Sequence, residues 1–187
     1  MDAAEQAEIE ARAEGVLATV PDWIWNGDEL PVPVEAIVDS HFGLLVRDVA
    51  DLSRAPGCPE PAAGQTLSGL LLAARGEIWV NRAEAREWPG RRRFTIGHEL
   101  GHWVMHRTGQ QSLFCRRAQV EPAEPEDAGA RPPLPVGEQE ANVFAAALMM
   151  PAHLIRAEYT RDQEFNGLCA RFGASGAAMS RRLRNVV

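Results

Sequence analysis

The chain predicts an α+β protein in which a small sheet of about three strands packs on helices. Three observations carry that expectation. The segments run helix, helix, three strands, helix, loop, helices, with no internal repeat. Two apolar runs meet at a tight turn and form a hairpin. The length, 187 residues, suits one ordinary domain with its own core and is short for two. Residues 1–187 are therefore expected to form a single domain. Its parts are an N-terminal helix and loop (1–33), a sheet and a motif-bearing helix (34–115), a Pro-rich loop (116–137) and a C-terminal helical part (138–187).

Each element has a local reason. Ala3 to Leu17 is rich in Ala, Glu and Gln, and Ile9, Ala13 and Val16 recur at helical spacing. A loop through Pro31 and Pro33 leads into a short helix, Val34 to Ser40, with Pro33 suited to its first turn. Phe42 to Val49 has the character of a strand. Arg54 to Pro61 holds three prolines and is expected to be loop. Thr66 to Ala73, the turn Arg75-Gly76-Glu77 and Ile78 to Val80 make the hairpin, and Trp88-Pro89-Gly90 is a further turn. The motif helix follows, with Thr95 as the expected N-cap, Gly109 just past its end and a length of about three turns. Arg116 to Gly137 carries five prolines and no apolar periodicity, which predicts a long mobile loop. Glu138 to Met150 is helical and stopped by Pro151. His153–Tyr159, Gln163–Phe172 and Ser175–Asn185 follow as three short helices.

Composition excludes several classes. Apolar residues make up 45% and charged residues 24%, as in a soluble globular protein rather than a disordered one. The longest apolar run, Val143 to Met150, is less than half a bilayer-spanning helix. The acidic N-terminus lacks the basic and apolar regions of a secretory signal. The net charge of −7 argues against a nucleic-acid coat protein. All 19 bases are Arg, and the clusters Arg91–Arg93, Arg116-Arg117 and Arg181–Arg184 are expected to be solvated surface charge. Cys58, Cys115 and Cys169 are odd in number and widely spaced, so free thiols and a reducing cytoplasm are expected, with no membrane association.

The chemically loud segment is His98-Glu99-Leu100-Gly101-His102. On a helix, two histidines four residues apart are offset by one turn and about 40° around the axis, so both imidazoles can reach one ion. A zinc hydrolase needs a third protein ligand and keeps a fourth position for water. His106 lies about 12 Å from His98 along a straight helix, too far to share the ion, and is better read as a neighbour of the site, or as a packed or surface histidine. Cys115 is a weaker alternative. Glu138 is the better one, with Asn142 four residues on and placed to hydrogen-bond a ligand histidine. Glu140 is the second choice. First-turn acids favoured by the helix dipole are the bland explanation for both glutamates.

Together these residues resemble the ImmA/IrrE metallopeptidases. The resemblance rests on Arg92 to His102, on His106, and on Glu138-x-x-Ala141-Asn142-x-Phe144-Ala145-Ala146-x-Leu148-Met149-Met150-Pro151. It extends over most of Val34 to Val187. Relatives often have Ala where this chain has Gly97. The resemblance implies a zincin-like metallopeptidase domain with His98, His102 and Glu138 as ligands of zinc, or of manganese, and Glu99 as general base. It implies hydrolysis of a specific regulatory protein, a helix-turn-helix repressor or transcription regulator. Tyr159, the only tyrosine, and nearby arginines are candidates for stabilising the oxyanion. The edge of the sheet formed by Thr66 to Val80 is the expected substrate strand-binding site.

A different reading remains. Gln163 to Asn185 has a helix–turn–helix pattern with a basic end, which would suit a DNA-binding regulator with a structural zinc. The acidic total argues against direct DNA binding, and these helices are expected instead to complete the peptidase domain.

Overall fold

The computed structural model describes residues 1–55, 65–106, 114–119, 134–159 and 164–187, with the side chains of 65, 66 and 114–119 left aside. The elements are α1 (Ala3–Thr19), α2 (Val34–Ala36, continued by a π-helical turn, Ile37–His41), β1 (Leu45–Val49), β2 (Gln65–Leu72), β3 (Glu77–Asn81) and α3 (Arg82–Glu87). They continue with α4 (Pro89–His106), β4 (Phe114–Gln119), α5 (Val136–Met149), α6 (Ala152–Tyr159), α7 (Phe165–Phe172) and α8 (Gly176–Val186). The α+β expectation holds. The three expected strands are present and a fourth is added.

The strand order is β1-β3-β2-β4. β1 runs parallel to β3, and β2 runs antiparallel to both β3 and β4. The hairpin closes through a 3-10 turn, Ala73–Arg75, and Gly76 at φ +61°, a conformation that glycine adopts without cost. β2 and β3 are interior strands, so the expected substrate-binding edge within Thr66 to Val80 is already paired and cannot accept another strand. β4 falls where a loop was expected, over Arg116 to Gln119. Polar and basic residues there gave no apolar run to reveal a strand, because pairing with β2 supplies the order. The start of α5 takes Val136 and Gly137 from the same expected loop. Residues 120–133 and Gly109 lie outside the described residues, as do most of the Arg54–Pro61 loop and Cys58.

Sequence periodicity explains the layers. In β2, Leu71 belongs to the main core, while Leu70 and Leu72 join Ala55 and Trp79 in a smaller cluster on the other face. That two-sided burial is why the strand is almost continuously apolar. α4 lies on β2 and β3, α5 lies on α4, and α1 covers α5. Capping fixes the ends. Asp2 and Glu5 form a reciprocal capping box at α1, Asn81 caps α3 and Ser175 caps α8.

α4 departs most from expectation. It begins at Pro89, not after Thr95, and runs for 18 residues, about five turns. Pro89 acts as a first-turn residue rather than as part of a stopping turn, because that position needs no N–H. Thr95 is buried in mid-helix. The first half of α4 is held by its arginines, which are not solvated charge. Arg92 bonds Glu35 at 2.9 Å and Asp48 at 3.1 Å, and Arg93 donates to the Val32 carbonyl at 2.6 Å. Arg182 is likewise buried, bonded to the Met150 carbonyl and to Glu10. Among the described residues, no helix is long and apolar enough to cross a membrane.

Candidate metal centre

The site is built where α4 and α5 pack closely against each other. Small residues permit the approach. A Cβ on Gly101 would sit 3.2 Å from the Ala141 Cα and 3.1 Å from the Phe144 ring. The middle of α4, Thr95 through His102, is buried all round, so the histidines face α5 rather than open solvent.

His98 and His102 project from successive turns of α4. Their Nε2 atoms are 3.1 Å apart. Glu138, in the first turn of α5, brings Oε2 to 3.2 Å from His98 Nε2 and Oε1 to 3.1 Å from His102 Nε2. His98 is 0% exposed and His102 1%, whereas the Glu138 side chain is 20% exposed, so solvent reaches the group from the Glu138 side. Burial alone would raise the Glu138 pKa. The contacts of its oxygens with the His102 and His98 imidazoles outweigh it and hold the carboxyl at about 2.

The donor set fits a divalent ion. Four ligands at the usual Zn–N and Zn–O distances in a tetrahedron lie roughly 3.3 Å from one another. The three side chains here are separated by nearly that distance. They also form the His/His/Glu group able to hold a metal among the described residues. The far side of His98 is committed as well: its Nδ1 pairs with Asn142 Oδ1 at 3.1 Å, so the proton sits on Nδ1 and the Nε2 lone pair faces the centre.

Glu99 follows His98 and is 0% exposed. Its carboxylate lies over β2. A Cβ on Gly69 would come within 3.0 Å of Glu99 Oε1 and 2.2 Å of the Thr95 methyl. The β2–β4 register slips between Leu67 and Gly69, a bulge directly beneath this carboxylate.

Other sequence candidates fall into place or away. His106 is beside the site, its Nδ1 3.0 Å from His102 Nδ1. Glu140, the second-choice ligand, turns to His106 instead, with Oε2 2.7 Å from His106 Nε2. Tyr159 stands half-exposed at the end of α6, and no hydrogen bond among the described residues joins it to the histidines. Cys169 is a partly buried free thiol, its pKa raised by burial, and the Cys115 side chain lies outside the described residues. The His106–Glu140 pair was not foreseen. The spacing shows only the neighbouring contact, since His106 follows His102 by four residues on the same helix, whereas Glu140 comes from α5.

A sheet bearing a His-Glu-x-x-His helix, with a carboxylate supplied by the next helix, defines a metallopeptidase-type domain. The family model described as Peptidase_M78, IrrE N-terminal-like domain, matches residues 59–184, and the chain belongs to that family. A comparison with curated proteins gave no match.

Proposed function

We infer that this chain is a zinc-dependent endopeptidase that cuts a specific regulatory protein in the cytoplasm, with a helix-turn-helix repressor as the best candidate. The observation that carries the reading is the convergence of His98, His102 and Glu138, with Glu99 buried next to His98 on the same helix. His98, His102 and Glu138 would hold the ion, for which zinc is favoured over manganese by the two imidazoles. Held there, the ion would supply Lewis acidity toward a peptide carbonyl and toward a water molecule, whose pKa it would lower.

The chain's own residues do the rest. Glu99 takes a proton from the attacking water as its oxygen bonds to the carbonyl carbon. The same carboxyl returns that proton to the amide nitrogen as the C–N bond breaks, so the products are a free acid and a free amine. Asn142 keeps His98 in the tautomer that offers Nε2. The substrate strand is proposed to add to β4, the edge strand beside β2, rather than to the interior strands.

The test has two parts. Elemental analysis of the purified protein should give about one equivalent of zinc, lost in His102→Ala and Glu138→Ala. Incubation with a candidate regulator should give cleavage by the wild type, none by Glu99→Gln with its zinc retained, and none after chelation. Equal behaviour of all three preparations would overturn the protease reading.

The DNA-binding alternative is weakened by the C-terminal helices. Arg182 is 3% exposed and tied to Glu10 and to the end of α5, and Arg171 pairs with Glu158 at 2.8 Å. One arginine of the basic end, Arg182, and one of the helix before it, Arg171, thus tie the domain together through acidic partners.

A further inference from the structure

We propose that His106 and Glu140 form a positioning chain that fixes the tautomer and ring orientation of His102 as a metal ligand. The inference rests on the metal-site reading above and deepens it.

The chain runs across both helices of the site. Glu140 on α5 holds Oε2 2.7 Å from Nε2 of His106 on α4, and Nδ1 of His106 lies 3.0 Å from Nδ1 of His102. The proton positions follow from the donor inventory. An ionised carboxylate only accepts, so His106 carries its hydrogen on Nε2. A neutral imidazole with a hydrogen on Nε2 offers Nδ1 as acceptor. One hydrogen occupies the Nδ1–Nδ1 contact, and it therefore belongs to His102. That leaves His102 Nε2 with a bare lone pair, and Nε2 is the atom 3.1 Å from both His98 Nε2 and Glu138 Oε1. One carboxylate at the rim thus dictates, through two imidazoles, which nitrogen of His102 faces the ion.

The surroundings favour such control. The side chains of His106 and Glu140 are 20% and 33% exposed, so the contact is sheltered without being sealed. The His106 ring lies against Gly137 at the start of α5, 3.5 Å from where a Cβ there would stand. α5 consequently serves both ligand histidines from behind, Asn142 directly on His98 and Glu140 through His106 on His102, while Glu138 enters the centre itself.

The experiment measures zinc affinity of the full chain by competition with a chromophoric chelator, together with the visible spectrum of the cobalt-substituted protein. His106→Ala and Glu140→Ala should weaken zinc binding by about 10- to 100-fold and shift the cobalt bands. Glu140→Gln keeps an acceptor oxygen for His106 Nε2 and should recover most of the affinity and the wild-type spectrum. Glu140 lies at the rim outside the core, so its variants keep the fold, which a thermal melt verifies. Alanine variants that bind zinc within twofold of the wild type, with unshifted cobalt bands, overturn the positioning chain while leaving the metal centre intact. A glutamine variant no better than alanine also overturns it. A wild type that binds no more zinc than a His98→Ala control overturns the metal-site reading and the chain with it.

Discussion

Gly69 lies directly under the motif helix, and its lack of a side chain lets α4 settle on the sheet. A methyl group there would overlap the Thr95 methyl and press on Glu99. Gly69→Ala should cost about 1–3 kcal/mol by overpacking, read from a urea melt. It should also lower activity more than metal content, because the displaced group is the proposed base. Adding Thr95→Ser removes the overlapping methyl and should restore part of the stability. Gly97 is the opposite case. Its added Cβ would make an ordinary 3.5 Å contact with Ala145. Gly97→Ala should therefore stabilise α4 by about 0.5–1 kcal/mol through helix propensity alone, seen as a higher melting temperature. At this scale the sequence was legible where chemistry is local. Two histidines one turn apart declare themselves on any helix. The partnership of Glu140 with His106 depends on how two helices cross, which no spacing within either helix encodes.

Element by element, the short apolar runs and the helix after the Pro-rich stretch were readable from periodicity, and the start of α4 and the existence of β4 were not. α4 starts six residues before its expected cap because Arg92 and Arg93 find partners on other elements, and a basic run looks like surface until those partners are known. Arg92 links α4 to α2 through Glu35 and to β1 through Asp48. Its hydrogen bond to Glu35 lowers the Glu35 pKa below 4.5 and raises its own. A carboxylate depressed on folding stabilises the protein above its unfolded pKa, and the contribution fades as pH falls through the folded value. Wild type should therefore exceed Glu35→Gln in stability at pH 7, by no more than about 1 kcal/mol given the exposure of Glu35. The gap should close as pH falls below 4.5, which paired denaturant melts at pH 7 and pH 3 would reveal. A gap that stays constant would show that the ion pair is not its source.

Across the whole molecule, the longest-range polar tie joins the two ends of the chain. Arg182 in α8 bonds Glu10 in α1 at 2.7 Å and the Met150 carbonyl at the end of α5 at 2.9 Å. Removing Arg182 leaves the buried Met150 carbonyl without this donor, while Gln6 still donates to Glu10, so Arg182→Ala should lose about 1–3 kcal/mol, measured by denaturant melts. The exposed Arg181 and Arg184 should be replaceable by alanine with little effect on stability. Such a tie was invisible in sequence, where Arg182 looked like its neighbours; only the arrival of α1 beside α8 makes it interior.

The matched family stretch begins at residue 59, and α1 lies before it. Ile9, Ala13 and Leu17 nonetheless enter the common core, and α1 packs along α5, the helix that carries Glu138, Glu140 and Asn142. Burial of Ile9 and Leu17 contributes about 3–6 kcal/mol. A chain trimmed to its recognisable portion would lose the backrest of the very rod that carries the candidate ligand Glu138. A chain cleaved between Thr19 and Val34 should therefore melt at a lower temperature and, on the proposed metal reading, hold zinc less tightly.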